Sequence, residues 1–414
     1  MMKVYFKTFG CRTNLFDTQV MRSNLKNFSI IEDEEKADII VVNSCTVTNG
    51  ADAGVRSYVN KMKREGKKIY LTGCGVKTQG QKLFDANLIF GSFGHTHKEK
   101  IDEFLSSQTR FFIQEQENAN HLDTTVVSEF SGKVRAFIKI QEGCNFACSY
   151  CIIPTVRGVA RSYLQKDILK QVDILAQKGV SEIVLTGTNV GSYGRDLDSN
   201  IARLIKEIAK NTSIRRIRVG SLEPSQIDSE FLELLDCDFL EKHLHIALQY
   251  THNQMLEIMN RQNRVESDLI LLEKIAKKGF AIGSDYIVGH PYETEEMWQE
   301  AYSNLLKLPL THIHPFIYSP RDNTPSASMP NSVDGISAKR RLRELKDAID
   351  QKNFIFRDKK PILEVLVERG EDGRYSGLDQ FFNRIFIKSE KNIQNTWLKI
   401  DKYQVMQEGN YAEI

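Results

Sequence analysis

The 414-residue chain lacks several features that would place it in a special class of protein. It has no apolar run long enough to span a membrane. Its first ten residues, MMKVYFKTFG, contain neither a long apolar core nor a small-residue cleavage motif, so we expect no signal peptide. The net charge of +2 gives no overall polyanion-binding signature. We therefore expect a cytoplasmic protein of two or three domains without a membrane partner.

Disulfide bonds are not expected either, because thiols stay reduced in the cytosol. The seven cysteines must then be ligands, nucleophiles or core residues. Three of them, Cys144, Cys148 and Cys151, fall within eight residues. Such a cluster needs an explanation other than disulfide bonding.

The first hundred residues alternate between apolar runs of strand length and segments with helical spacing. The runs KVYFKT, DIIVVN and KIYLT predict a parallel sheet with helices on its faces. A cysteine follows each run within three residues: Cys11, Cys45 and Cys74. Because the carboxyl ends of parallel strands meet at one edge, we expect these thiols to lie together. Three separate buried structural cysteines are the alternative.

A second alternating series begins near residue 133 and contains six predicted strands. They are VRAFIKI, EIVLTG, IRRIRVG, HLHIALQ, FAIGSDYIVG and HIHPFIYS, with helical patterns between them, for example at 164–178 and 266–278. Six strand–helix units predict an incomplete barrel whose open side would admit a large substrate. A charged run that starts at Lys339 predicts a helix leading away from the barrel.

After Pro361, short apolar runs separated by turn residues predict a small all-β module. The predicted architecture is therefore α/β. It has an N-terminal parallel α/β domain at 1–110, a polar linker at 111–132, a partial (β/α)6 barrel at 133–355 and a β-domain at 360–414.

The cysteine cluster follows the first predicted barrel strand. A structural zinc site commonly uses four ligands in two CxxC-like pairs, and the barrel sequence contains no second pair. The histidines nearby are not spaced like a ligand pair. Three thiolates fit a four-iron cluster that keeps one iron open for another ligand.

The run CNFACSYC, with Tyr150 before its last cysteine, resembles the signature of the radical S-adenosylmethionine enzymes. The resemblance implies that a [4Fe–4S] cluster binds S-adenosylmethionine and releases a 5′-deoxyadenosyl radical, which the protein must orient and protect. The stretches LTGTNVGSYG, GSLEP and DYIVGHPYET resemble the loops that surround this cofactor. The cofactor-binding residues implied are Tyr150, Thr186, Gly187, Asn189, Glu223, Gln249, Arg261, Asp285, Gly289 and Pro291.

Over essentially its whole length the sequence is similar to the methylthiotransferase family of these enzymes. The stretches that carry the resemblance are TFGCRTNLFDT, VVNSCTVTNGAD, LTGCGVK, QEGCNFACSYCIIPTVRGVARS and MNR. It implies that Cys11, Cys45 and Cys74 bind a second [4Fe–4S] cluster, where sulfur is methylated and inserted into a C–H bond. All six cysteines are thus implied as metal ligands and catalytic residues, and the β-domain as TRAM-like. The sulfur must wait beside the substrate radical, so the two clusters need a common cavity.

The segments GCRTN and NSCTVTNGAD are most similar to the subgroup that acts on threonylcarbamoyladenosine in tRNA. That subgroup implies conversion of adenine C2, next to the anticodon, from C–H to C–SCH3. Isopentenyladenosine in tRNA and an aspartate of a ribosomal protein are the alternative substrates. A non-catalytic iron–sulfur redox sensor is a further alternative, but a sensor needs no stretches that bind S-adenosylmethionine.

The same resemblance implies a tRNA partner, an electron-donor protein such as a flavodoxin or ferredoxin, and a monomer. The β-module does not support RNA binding by charge, because residues 361–414 hold seven Lys or Arg against nine Asp or Glu. Tyr375, Phe381 and Phe382 are candidates for base stacking instead, although core packing is the more usual role of such residues. Tyr163, His290 and Tyr292 depart from the family pattern.

Overall fold

The computed structural model describes residues 1–114, 121–127 and 134–414. Half of the linker predicted at 111–132, namely residues 115–120 and 128–132, lies outside the described residues. Its first three described residues, Phe111–Ile113, form an edge strand of the N-terminal sheet and are not linker. A three-residue strand is too short to show an alternating pattern, so the polar run that follows it dominated the sequence prediction.

The N-terminal domain is a six-stranded parallel sheet with the order β2–β1–β3–β4–β5–β6. Its strands are β1 (Lys3–Thr8), β2 (Ser29–Ile30), β3 (Ile39–Ser44), β4 (Lys68–Gly73), β5 (Gly91–Phe93) and β6 (Phe111–Ile113). Its helices are α1 (Arg12–Asn24), α2 (Asn49–Arg64), α3 (Gln81–Asp85) and α4 (Ile101–Ser106). Helices α1 and α4 bury apolar residues against one face, and α2 and α3 bury theirs against the other. The predicted parallel α/β domain is confirmed.

The central domain contains six parallel strands and one short antiparallel strand. They are β7 (Arg135–Glu142), β8 (Arg161–Ser162, antiparallel to β7), β9 (Glu182–Gly187), β10 (Arg216–Val219), β11 (His243–His245), β12 (Ala281–Val288) and β13 (His312–Ile317). The helices are α5 (Ile153–Arg157), α6 (Gln165–Gln177), α7 (Ile201–Asn211), α8 (Ser229–Glu233), α9 (Asn253–Ile258), α10 (Val265–Lys277), α11 (Glu295–Lys307) and α12 (Gly335–Asp358).

The parallel strands follow the order β7–β9–β10–β11–β12–β13. Strand β9 pairs with β7 and β10, and β12 pairs with β11 and β13. Single parallel bridges, Ile217–Leu240 and Leu222–Ile246, join the two groups. No pairing joins β13 to β7 within the described ranges, so the predicted partial (β/α)6 barrel is confirmed.

Helix α12 does not lead away from the barrel as the sequence predicted. It packs on the last strand, where Asn353 Nδ2 lies 3.3 Å from His312 Nε2. Ala338, Leu345 and Ile349 are buried on its inner face. The many charges of this helix concealed its narrow apolar stripe.

The C-terminal domain is a six-stranded sheet with the order β17–β14–β15–β16–β19–β18. Its strands are β14 (Leu363–Glu371), β15 (Arg374–Leu378), β16 (Arg384–Lys388), β17 (Trp397–Ile400), β18 (Gln404–Met406) and β19 (Gly409–Glu413). Every pair is antiparallel except β16–β19. The predicted small β-domain is confirmed. No helix of the described residues combines the length and the hydropathy needed to cross a membrane.

The N-terminal domain lies across the open side of the barrel. Lys139 Nζ on β7 donates to Asp17 Oδ1 of α1 at 2.6 Å. On the other side of the opening, the Asn49 backbone N–H donates to Ser319 Oγ, just after β13, at 2.9 Å. The domain therefore contacts both free edges of the barrel, and its strand ends face the barrel interior.

Candidate active site

The three N-terminal cysteines come together at one sheet edge. Cys11, Cys45 and Cys74 follow β1, β3 and β4, which are neighbours in the sheet. Gly10 has a φ of 92°, and a Cβ there would lie 2.8 Å from Cys45 Sγ, so Cys45 lies against the residue that precedes Cys11. The Cys74 backbone N–H donates to the Ser44 carbonyl at 3.0 Å, which places Cys74 beside Cys45.

The Cys45 and Cys74 thiols are suited to metal binding and poorly suited to act as free nucleophiles. Burial raises the pKa of Cys45, and it raises the pKa of Cys74 to about 11 despite the nearby Arg157 cation. Uncomplexed thiols of this kind stay protonated at neutral pH, whereas a metal removes the proton. Arg157 Nε donates to Cys74 Sγ at 3.2 Å, a contact that stabilises a thiolate ligand.

The barrel cysteines lie in the loop that follows β7. Gly143 has a φ of 78°, and a Cβ there would overlap the Val159 carbonyl oxygen, so this position requires glycine. The Cys144 backbone N–H donates to the Gly158 carbonyl at 3.0 Å, and Cys151 donates to the Cys148 carbonyl at 3.1 Å. The loop folds back on itself and turns its three cysteines toward each other.

Residues 258–261, which include the MNR stretch, hold this loop in place. The Ser149 backbone N–H donates to the Met259 carbonyl at 3.0 Å, and its hydroxyl donates to Ile258 O at 2.9 Å. Asn260 Nδ2 donates to the Ala147 carbonyl at 2.7 Å. The role of this stretch in fixing the cysteine loop was not visible in the sequence, since a hundred residues separate the two segments.

Several donors point at the barrel sulfurs. Asn189 Nδ2 and the Phe146 backbone N–H each lie 3.5 Å from Cys144 Sγ, and Arg261 Nη1 lies 3.6 Å from Cys148 Sγ. Hydrogen bonds to cluster sulfurs are a standard means of tuning iron–sulfur centres. Burial raises the pKa of Cys148 and raises that of Cys151 to about 12, so these thiols also need a metal to ionise. Three sulfurs with such donors suit a [4Fe–4S] cluster.

Glu223 is held by a partner that the sequence did not suggest. Arg261 Nη1 donates to Glu223 Oε1 at 2.9 Å, and Nη2 donates to Oε2 at 2.5 Å. The same guanidinium also contacts Cys148 Sγ and the Ala247 carbonyl, so this bidentate pair fixes the carboxylate near the barrel cysteine loop. Asn189 Oδ1 is buried without a partner in the described structure and is a polar atom available to a bound cofactor.

Two cavities adjoin at Asp285. The first, of about 270 Å³, is lined by Tyr150 and Cys151 of the barrel loop and by Gln249. The second, of about 380 Å³, begins at Cys11 and reaches the strand ends Thr186 and Gly187. Asp285 lines both. One cavity therefore borders Cys151 of the barrel loop and the other borders Cys11 of the N-terminal domain, and the two cavities share Asp285 as a wall.

Asp285 lies between two histidines that the sequence analysis did not single out. His245 Nε2 is 3.2 Å from Asp285 Oδ2, and His314 Nδ1 is 3.5 Å from Oδ1. Burial opposes ionisation of Asp285, but these two contacts hold its pKa below the ordinary value. One nitrogen of each histidine and one oxygen of Asp285 lie within 4.8 Å of one another, and such a set can also hold a divalent cation.

Gly289 and Pro291 line neither of these two cavities. Gly289 has a φ of 76°, and its N–H donates to the Glu293 carboxylate. Pro291 supplies a carbonyl that faces His290 Nδ1 at 2.9 Å. The structure therefore gives these two residues a turn-shaping role.

The unusual His290 also has a structural partner. His290 Nε2 lies 2.8 Å from Ser326 Oγ, which lies 2.8 Å from Ser149 Oγ in the barrel cysteine loop. Its ring also meets the Tyr150 ring edge-on at 6.5 Å. His290 therefore braces the loop of Cys148 and Cys151.

Comparisons with known proteins agree with this arrangement. Residues 3–91 match the family described as Uncharacterized protein family UPF0004, and residues 138–305 match the Radical SAM superfamily. Membership of that superfamily implies S-adenosylmethionine and a [4Fe–4S] cluster. The chain also resembles the solved structure of the radical S-adenosylmethionine methyltransferase TsrM from Kitasatospora setae. The TM-score is 0.62, with 15% identity over 79% of this chain and 77% of that chain, a likeness of fold alone.

Comparison of sequences gives relatives with higher identity than this solved structure. A provisionally named methylthiotransferase from Helicobacter pylori strain J99 is 59% identical over 100% of both chains. The threonylcarbamoyladenosine tRNA methylthiotransferase MtaB of Aquifex aeolicus is 35% identical over 85% of this chain and 88% of its own. A tRNA-2-methylthio-N(6)-dimethylallyladenosine synthase of Pseudothermotoga lettingae is 31% identical over 97% of this chain and 96% of its own. The chain belongs to the methylthiotransferase family of radical S-adenosylmethionine enzymes.

Proposed function

We propose that this protein converts N6-threonylcarbamoyladenosine next to the tRNA anticodon into its 2-methylthio derivative. The adjacent position of the cavities at Cys151 and Cys11, which share Asp285 as a wall, carries the proposal, because sulfur insertion needs the radical and the sulfur close together. The relative named MtaB supports this substrate. An electron-donor protein such as a flavodoxin or ferredoxin and a cytoplasmic location belong to the same proposal.

In this proposal Cys144, Cys148 and Cys151 hold one [4Fe–4S] cluster, and Cys11, Cys45 and Cys74 hold a second. The first cluster would supply radical chemistry together with S-adenosylmethionine, and the second would supply the sulfur. The residues of the chain orient and protect these reactants. Tyr150, Gln249 and Asp285 are among the residues that line the first cavity, whose walls are mainly apolar.

Isopentenyladenosine is the second candidate substrate, because the dimethylallyladenosine synthase from Pseudothermotoga lettingae is nearly as similar as MtaB. Its side chain is a hydrocarbon, whereas the threonylcarbamoyl group carries a carboxylate. The two products differ in mass, so one measurement separates them.

Nucleoside mass spectrometry of tRNA from cells without the gene tests the proposal. We expect loss of 2-methylthio-threonylcarbamoyladenosine, with restoration by the wild-type gene and by Cys237→Ala. Cys144→Ala and Cys45→Ala should not restore it. Cys237 is the matched control, because it belongs to neither cysteine set. Loss of the 2-methylthio-isopentenyl product would establish the second candidate, and unchanged nucleosides would overturn both.

A further inference from the structure

The second cavity contains two arginines in different electrostatic states. Arg218 is neutralised, since its Nε donates to Glu182 at 2.7 Å and its guanidinium also contacts Glu241. Its Nη2 donates to the Asp379 carbonyl at 3.0 Å. Arg12 has no carboxylate within ion-pair distance and no hydrogen-bond partner among residues 1–114, 121–127 and 134–414. The cavity therefore offers one guanidinium without a salt-bridge partner, with Asp285 as a more distant charge in the same lining.

Two aromatic rings position that guanidinium without using its donors. The Arg12 Cζ lies 5.9 Å from the ring centre of Phe137 and 5.7 Å from that of Phe382. Cation–π contacts of this kind orient the plane of the group, and its N–H donors stay available. A planar guanidinium with unused donors recognises a carboxylate through two parallel hydrogen bonds. The site is therefore built for a planar anion.

Building on the proposed function, we infer that Arg12 binds the carboxylate of the N6 substituent of the substrate adenosine. Arg12 would then select the threonylcarbamoyl group over the isopentenyl group. The hydrocarbon would fill the cavity but leave the cation without a partner and away from water, which is costly. A site that uses a buried polar group in this way discriminates strongly against a ligand that lacks the matching group.

The position of Arg12 in the chain agrees with the chemistry of adenine. C2 and C6 flank N1, so the reacting carbon and the N6 substituent lie on the same edge of the ring. The residue that holds the substituent and the residue that holds the sulfur source must then be close together. Arg12 directly follows Cys11, and both line the same cavity.

The test uses three anticodon stem-loop RNAs that carry threonylcarbamoyladenosine, its methyl ester, or isopentenyladenosine. The ester keeps the shape of the substrate and removes its charge. Reconstituted wild type, Arg12→Gln and Arg12→Lys are compared for KM and kcat of methylthio formation and for RNA binding by fluorescence anisotropy. Arg22→Gln is the matched control, because Arg22 lies on the same helix and pairs with Glu32 at 2.6 Å.

We expect wild type to favour the acid over the ester by about 100-fold in KM. Arg12→Gln should raise KM for the acid by about the same factor, leave the ester unchanged and alter kcat much less. Arg12→Lys should recover part of the preference, since it keeps the charge and loses the planar fork. Arg22→Gln should behave as wild type.

Two outcomes would overturn the inference. One is an Arg12→Gln enzyme that keeps the full preference for the acid. The other is an equal loss on acid and ester together with a shifted reduction potential of the N-terminal cluster, which would make Arg12 a counter-charge to that cluster. Arg12-dependent binding of the acid without any methylthio product would support the carboxylate contact and refute the proposed function.

Discussion

Arg157 lies at the centre of a fully buried charge network between the N-terminal domain and the barrel. Its Nη1 donates to Asp17 Oδ2 at 2.9 Å and to Glu142 Oε1 at 2.5 Å. Its Nη2 donates to Asn14 Oδ1 at 2.5 Å, and its Nε reaches Cys74 Sγ. One side chain on α5, six residues after Cys151, thus joins the barrel to Asn14, Asp17 and Cys74 of the N-terminal domain.

Removing this cation should destabilise the protein strongly. Arg157→Gln leaves Asp17 and Glu142 short of one buried positive charge, a type of change that costs about 3 to 5 kcal/mol. We expect a loss of that size in the free energy of unfolding in urea, measured on anaerobically reconstituted protein. The control Arg56→Gln, an exposed position on α2, should change the free energy by less than about 0.5 kcal/mol.

The double variant Asp17→Asn with Arg157→Gln provides the decisive comparison. Because it removes one charge of each sign, it should recover part of the loss seen in Arg157→Gln alone. If the loss in the double variant equals the sum of the losses in the two single variants, Asp17 and Arg157 do not interact energetically. The buried groups would then be separate contacts between the two domains rather than a coupled unit.

At the scale of elements, the turn between β15 and β16 is the part of the C-terminal domain that reaches the barrel cavity. Asp379 Oδ1 accepts the backbone N–H groups of Phe381 at 2.9 Å and Asn383 at 2.8 Å. Phe382, with a φ of 67°, stacks on His243 with 5.0 Å between ring centres. Through Phe382 this turn therefore lines the second cavity together with Cys11 and Arg12.

The same turn should make stability depend on pH. Burial raises the pKa of Asp379 to about 6, although its backbone hydrogen bonds and nearby arginines oppose the shift. The folded state therefore favours the protonated carboxyl, and this contribution is fully present below pH 3.8 and is lost as the pH rises through 6. Between pH 5 and pH 7 the expected loss is about 1 kcal/mol.

Asp379→Asn tests this linkage, since the amide oxygen can still accept both N–H groups. As the pH rises from 5 to 7, the urea midpoint of the wild type should fall relative to that of the variant. A difference that stays constant from pH 5 to pH 7 would mean that Asp379 is ionised across that range.

Elements with a clear pattern could be predicted from the sequence, and contacts between distant elements could not. The strand–cysteine units succeeded because parallel strands share one carboxyl edge, which brings Cys11, Cys45 and Cys74 together by topology alone. Phe382 was considered for RNA stacking, yet it lines the barrel cavity. The pairing of His245 and His314 around Asp285 depends on strands that are far apart in sequence, and no local period reveals it.

At the scale of the whole molecule, the barrel is closed by its two neighbours. The N-terminal domain covers the open side, where Arg321 after β13 donates to Asp52 of α2 at 2.6 Å and to Thr46 at 2.7 Å. Thr46 follows Cys45 directly, so the closing contact also fixes one of the cysteine loops. The arrangement ties the position of the N-terminal cysteines to the last barrel strand.

The C-terminal domain is bound to the amino ends of the barrel strands by partly buried polar contacts. Arg216 Nη1 donates to the Glu364 carbonyl at 3.0 Å, and Arg135 Nη2 lies 2.7 Å from Glu368. Trp397 covers the guanidinium of Arg216 at 4.5 Å and donates to Ser181 Oγ at 2.8 Å. A detachable RNA-binding module would not need a buried interface of this kind.

Deletion of residues 360–414 should therefore damage the fold as well as any RNA contact. The truncation exposes a cluster of arginines around Glu182 and removes the carbonyl groups that satisfy them, so we expect aggregation and loss of bound iron. Size-exclusion chromatography measures the aggregation of the truncated chain, and iron analysis measures its loss of iron. The point variant Trp397→Ala weakens the interface but keeps the domain, and it should lower the urea midpoint. A monomeric truncated protein with its full iron content and weakened tRNA binding would instead identify the domain as a separable RNA-binding module. The slight excess of acidic residues in the domain favours the first outcome, because a module that holds RNA mainly through phosphate contacts needs positive charge.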